Sequence, residues 1–128
     1  MIQKGTFLNV ADNSGAKIVF CIHNIGQPSS KYAYLGDLLL LSVKKLRVKR
    51  RYASKIKKGV LAYGLIVRTK NFKNSYFGDK IKFYENSVIL FFRKTTTLVG
   101  TRIFGFLPYT FRFTQYTRII SICTGTAF

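Results

Sequence analysis

Leu8 and Val10 stand two apart around Asn9, the spacing of a half-buried strand, and a polar turn follows at once. Asp12, Asn13 and Ser14 can each bond their own backbone through the side chain, and Gly15 permits positive φ. Lys17-Ile18-Val19-Phe20-Cys21-Ile22 then runs on as β-branched and aromatic strand. The pattern predicts a hairpin close to the N-terminus, so that the first residues are body and not tail.

Further along, Gly26 and Pro28-Ser29-Ser30 mark a loop. Leu38-Leu39-Leu40-Leu41-Ser42-Val43 is apolar on both faces, which predicts a strand in the interior of a barrel or sandwich. It continues as an extended arm in which Leu46 and Val48 alternate with Arg47 and Lys49, and residues 50–58 read as a loop. Val60-Leu61-Ala62-Tyr63-Gly64-Leu65-Ile66-Val67 is a second buried strand, with a bend or bulge expected at Gly64. Residues 72–79 read as a turn, Lys80-Ile81-Lys82-Phe83 alternates, and Glu85-Asn86 turns the chain into a strand over 87–92. Short strands separated by turn signals predict an all-β barrel. The helix candidates are 109–113 and 115–118.

Charge changes the picture. Of 128 residues, 22 are Lys or Arg and only 4 are Asp or Glu, for a net charge of +18. Such a surface repels itself unless a polyanion meets it, which makes nucleic acid the first expected partner and an anionic membrane the second. No apolar run approaches the ~18 residues of a membrane span, so no membrane insertion is expected. Residues 1–6 lack a signal peptide's apolar core and an Arg/Ser-rich transit helix. Cys21 and Cys123 lie far apart in expected strands and make no metal spacing; they read as buried thiols.

Catalysis needs positioned acids, bases or nucleophiles. Asp12, Asp37, Asp79 and Glu85 each sit beside Gly or Asn at an expected turn, His23 is alone, and there is no Gly-rich phosphate loop. An enzyme is not expected, nor a cofactor or metal. The basic residues carry the expected function. Lys44, Lys45, Arg47, Lys49, Arg50, Arg51, Lys55, Lys57 and Lys58 crowd one segment, with no acid between Asp37 and Asp79 and with Tyr52 among them. Solvated charged faces usually mix signs, and this one does not. Arg68, Lys70 and Lys73 form a second patch and Arg93-Lys94 a third. Phosphate contacts position a protein, and A-form shape, 2′-hydroxyls and unpaired loops supply recognition.

The nonapeptide Leu8-Asn9-Val10-Ala11-Asp12-Asn13-Ser14-Gly15-Ala16 resembles the opening of the universal L-fourteen family of large-subunit ribosomal proteins. Gly100-Thr101-Arg102-Ile103-Phe104-Gly105 resembles that family's second motif. Tyr32-Ala33, Gly36-Asp37, Lys57-Lys58-Gly59 and Val67-Arg68-Thr69-Lys70 follow in family order, and Ile119-Ile120-Ser121 resembles its closing strand. After Gly105 the family's small or proline-led run and Arg-Glu-Leu-Arg give way to Phe106-Leu107-Pro108-Tyr109-Thr110-Phe111-Arg112, which keeps only the last Arg.

The resemblance implies one domain over 1–128, a five-stranded barrel to about residue 100 and a C-terminal extension with short helices. It implies binding to large-subunit rRNA, packing against neighbouring large-subunit proteins, and bridges to small-subunit rRNA. It also implies a docking place for a ribosome silencing factor, at the positions matching Thr101, Arg102, Arg118 and Ser121. Ile103 and Phe104 are expected to anchor that motif to the core.

Phe 12 and Tyr 8 with Trp 0, together with few acids, look like an AT-biased gene. With a start at the family's own first residues, this points to an organelle-encoded protein of the mitochondrial ribosome, with a plastid or bacterial cytoplasm as alternatives. The rival function is an extraribosomal single-strand RNA binder of OB type, which predicts paired stacking aromatics on one sheet face.

Overall fold

Five strands close into a barrel in the order β1-β2-β3-β4-β7. They are β1 (Phe7–Val10), β2 (Ala16–Asn24), β3 (Leu38–Leu46), β4 (Leu61–Arg68) and β7 (Ser87–Phe91). The computed structural model describes residues 1–48, 54–74, 78–95 and 97–127. Neighbouring strands are antiparallel except at the closure, where β1 runs parallel to β7 with Asn9 opposite Ser87 and Val10 opposite Val88. The all-β, five-stranded expectation holds.

Period two explains both cores. Leu8 and Val10, Val19 and Cys21, Leu39, Leu41 and Val43, Ala62 and Ile66, and Val88 and Leu90 form the cluster inside the barrel. The alternate residues Leu65, Val67, Ile89 and Phe91 join Ile103, Leu107, Phe111 and Ile119 in a second cluster, outside β4 and β7. Both faces of these two strands are therefore buried, which is why they read as continuous apolar runs.

The expected irregularity at Gly64 is corrected. The ladder runs straight through it, with Leu39 on one side and Leu90 on the other, and the bulge lies between Ile66 and Arg68. A Cβ at Gly64 would stand 2.1 Å from Leu41 Cδ1, so the glycine makes room for a leucine inside a narrow barrel.

The β1–β2 turn organises the fold as its sequence suggests. Gly15 has φ +98°. Asp12, buried, accepts from the backbone N–H of Ser14 (3.1 Å), the Ser14 hydroxyl, and the N–H of Leu90 on β7 (2.9 Å). Burial pushes the Asp12 carboxyl up; these hydrogen bonds and the Arg47 charge oppose it.

Beyond the barrel, β5 (Lys73–Asn74) and β6 (Lys80–Ile81) make a small ribbon, so the alternation over 80–83 yields only two strand residues. The extension pairs β8 (Ile103–Pro108) in parallel with β9 (Cys123–Ala127). A 3-10 turn over Tyr109–Phe113 and a short helix α1 (Arg118–Ser121) form the crossover. The first helix candidate is thus a 3-10 turn, and the second is displaced: α1 begins where the expected helix over 115–118 ends.

The closing strand is corrected too. Residues 119–121 are helical, and β9 closes the chain. Ile119 is buried while Ser121, two residues on, is exposed with its hydroxyl donating to the Arg118 carbonyl (2.7 Å). A strand would put both on one face; a helical turn separates them. Cys21 is a buried thiol, and Cys123 is only partly buried.

Candidate nucleic-acid interface

The basic segment leaves the barrel at the end of β3 and returns to the same place. The N–H of Arg47 donates to the Gly15 carbonyl (2.9 Å) and the N–H of Lys55 to the Ser14 carbonyl (3.0 Å). A Cβ at Gly15 would meet Ser54 Cβ at 2.5 Å, so the hairpin glycine also admits the returning chain. Buried Ile56 anchors the return, and Lys55, Lys57 and Lys58 beside it are exposed, as are Lys44 and Lys45. Lys49, Arg50, Arg51 and Tyr52 lie outside the described residues.

The second patch divides. Lys70 is exposed. Lys73 donates its ammonium to the Leu35 carbonyl (2.9 Å), and burial pushes it down while the Asp37 charge acts the other way. Arg68 is drawn under the extension, its side chain 11% exposed, with its Nη2 3.4 Å from Glu85 Oε1 and its Nε buried without a hydrogen-bond partner among the described residues. Burial pushes the Arg68 guanidinium down, and Glu85 opposes the shift. Burial alone would raise Glu85, but hydrogen bonds from Ser87 and Asn9 and the Arg68 charge outweigh it and hold the carboxyl below its usual range. The third patch, Arg93 and Lys94, is exposed on a turn after β7.

Barrel closure brings together cations that the sequence separates. Lys17, Arg47 and Arg68 line one open groove of about 760 Å³, with Glu85, Val48 and Phe104. Arg47 spans it, donating through Nη2 to the Val10 carbonyl (3.2 Å) and lying 5.4 Å from the Phe104 ring centre. Phe104 does not anchor the motif to the core as expected: it is 42% exposed, and Ile103 alone is buried. Lys17 and Phe104 were not among the candidate residues. Gly105, after Phe104, lets β8 pass over Arg68, since a Cβ there would lie 2.1 Å from Arg68 Nη1.

The second motif is clamped to the first. Asn13 Oδ1 accepts from the N–H of Thr101 (2.7 Å) and of Arg102 (3.2 Å), while Asn13 Nδ2 donates to Thr101 Oγ1 (2.9 Å). A Cβ at Gly100 would sit 2.8 Å from both Asn13 Oδ1 and Asp12 Cβ, so only glycine admits this approach. Thr101 and Arg102 are exposed. The N–H of Ile103 bonds to the carbonyl of Ile122, the residue that ends α1 (3.1 Å); Ser121 at the end of that one-turn helix and Arg118 at its start are both exposed. The remaining acid with a described bond, Asp37, closes a turn by accepting from the Tyr34 N–H (2.8 Å).

Fold and surface define a small, strongly basic β-barrel whose two sequence motifs lock together and whose basic segment is tied to the first of them. The profile of the family described as Ribosomal protein L14p/L23e matches residues 1–126, and the chain belongs to that family. It is a ribosomal protein of the large subunit.

Proposed function

We propose that the protein is an architectural rRNA-binding component of the large subunit that also faces the small subunit. One observation carries the reading: the basic segment is tied at both ends to the β1–β2 turn, through Gly15 and Ser14. Lys44 and Lys45 on β3 and Lys55, Lys57 and Lys58 on the returning chain are thereby presented at fixed positions, which lowers the ordering cost of meeting a phosphate backbone. Lys49, Arg50 and Arg51 add charge to the same segment, and Lys70, Arg93 and Lys94 extend it. Thr101, Arg102, Arg118 and Ser121 form the joining face, where small-subunit rRNA and a silencing factor compete for one polar patch. Neighbouring large-subunit proteins pack against the extension. The AT-biased composition favours a mitochondrial ribosome.

Two measurements test this. Wild-type protein is expected to sediment with large subunits in high salt. For an rRNA fragment bound through ~6–10 phosphates, affinity should fall ~10³–10⁵-fold between 50 and 200 mM salt. Neutralising Lys55, Lys57 and Lys58 together should flatten that slope by about 2–3 units. An unchanged slope removes this loop from the interface. For the joining face, Arg102→Glu is expected to lower the monosome fraction and silencing-factor pull-down while large subunits still assemble.

One observation favours the single-strand reading. Phe7, 62% exposed, packs edge-on against Phe20 at 5.3 Å on the outside of the barrel, with Lys44 Nζ 5.2 Å from the Phe20 ring centre. This is the paired-aromatic face an OB-type binder needs. Binding of the isolated protein to unstructured RNA, lost in Phe7→Ala, is the outcome that reading requires.

A further inference from the structure

The groove between the barrel and β8 has the size and chemistry of a site for one small ligand, and we infer that it holds a single unpaired nucleotide of rRNA, extruded from its helix. The inference rests on the rRNA-binding reading and adds where, and in what conformation, one nucleotide is held. Its volume of about 760 Å³ falls within the range of small-ligand sites, roughly 300–1,000 Å³, and far below what a duplex needs.

Charge selects an anion. Among the described residues that line the groove, Lys17, Arg47 and Arg68 stand with one carboxylate, Glu85. That carboxylate is already engaged by Arg68, by Asn9 Nδ2 (3.0 Å) and by the Ser87 hydroxyl (2.7 Å). Lys17, exposed at the rim, and the Arg47 guanidinium are the groups within reach of a phosphate. Arg68, largely buried and 3.4 Å from Glu85, spends its charge on that carboxylate and leaves Lys17 and Arg47 as the net positive charge of the groove.

The apolar wall selects a base. Phe104, whose ring Arg47 approaches to 5.4 Å, is 42% exposed, and Val48, which also lines the groove, is 81% exposed. Phosphate ions alone have no use for such a wall, whereas a base does, and a ring accepts any base by stacking. The wall is preorganised: the Phe104 N–H donates to the Ala11 carbonyl (2.7 Å), and Arg47 is pinned through both backbone and side chain to Gly15 and Val10. A paired base cannot leave its stack to reach the ring, so the site takes an extruded one.

Large subunits are purified through a tag on this protein, so that only subunits containing it are read. Their rRNA is then probed by 2′-hydroxyl acylation, with ultraviolet crosslinking in parallel. In wild type, a one-nucleotide adduct is expected on the peptide from Ile103 to Arg112. Phe104→Leu keeps an apolar side chain and removes the ring; it is expected to abolish the adduct and raise the reactivity of one unpaired nucleotide about tenfold. Lys17→Glu, at an exposed position, is expected to expose the same nucleotide. Recovered subunits with an unchanged reactivity map in both variants overturn the inference and leave the parent reading intact. Tagged wild-type protein that recovers no large-subunit rRNA overturns the parent reading and this one with it.

Discussion

In β7, Val88 and Leu90 fill the barrel while Ile89 and Phe91 are buried on the opposite side, beneath the extension. In β8, Ile103 and Leu107 are buried just as deeply, but Phe104 and Phe106 on the other side remain 42% and 60% exposed. Both strands are almost wholly apolar, and only one has a second layer over it. Apolar type therefore says that a face wants cover; tertiary structure decides whether the chain supplies it. The barrel is complete in itself, and the extension carries a bare aromatic edge that fits a protein made to be packed against.

The largest test of that difference lies inside the barrel. Gly64→Val places a branched side chain where even a Cβ meets Leu41 Cδ1 at 2.1 Å, among residues with no exposure to absorb the shift. A loss of about 3 kcal/mol or failure to fold is expected, read as the melting temperature by circular dichroism. A variant melting like wild type shows that the interior is loose and removes the contrast with β8.

Gly15→Val acts one layer out, at the junction of turn and basic segment. It combines φ +98° with a Cβ 2.9 Å from the backbone Cα of Ser54. Strain of about 1–3 kcal/mol is expected, with weaker rRNA binding because the arm's return is displaced. Reduced stability with the salt slope untouched separates the turn's structural role from its role in presenting cations.

Two acids should titrate with opposite sign. Burial raises the Asp12 carboxyl above its ordinary 3.8, so between that value and the higher folded one the native state holds the extra proton, and stability falls as pH rises through that window. Glu85 is held below its ordinary 4.5; its contribution is present above that value and is lost as pH falls through the lower folded one. Asp12→Asn is expected to abolish the first slope and Glu85→Gln the second, in denaturant melts across the acid range. A slope of the same sign for both contradicts these environments.

What the sequence makes legible follows from the same contrast. The hairpin, β3, β4 and β7 were readable because alternation and apolar runs are local signals, and Gly15 was readable because a polar turn asks for positive φ. Gly64 looked like a bulge because its real constraint, Leu41 on a neighbouring strand, lies twenty-odd positions away in sequence. The groove is illegible for the same reason: Lys17, Arg47, Arg68 and Phe104 come from four segments that only barrel closure and the docking of β8 bring together. The family resemblance located the second motif, but not that Phe104 points away from the core. Residues 119–121 misled because Ile-Ile-Ser fits a strand and a helical turn equally well until burial separates Ile119 from Ser121.

The smallest expected effect on stability is the most direct test of the bare edge. Phe106 is 60% exposed and rests its ring over Gly125 on β9, where a Cβ would come within 2.7 Å of Phe106 Cε1. Phe106→Ser trims a side chain that is mostly exposed, so the isolated protein should lose less than about 1 kcal/mol. If the edge is covered only in the assembled particle, the same substitution should weaken retention in large subunits far more than it weakens the fold, because the aromatic area is buried there and not in the free chain. The comparison is the melting temperature of the free protein against the salt concentration at which half of it is stripped from subunits. A variant that melts near wild type yet strips at markedly lower salt supports a partner on this edge. Equal stripping shows that Phe106 faces solvent in the particle too, and the bare face of β8 then belongs to this chain's own surface and not to a neighbour.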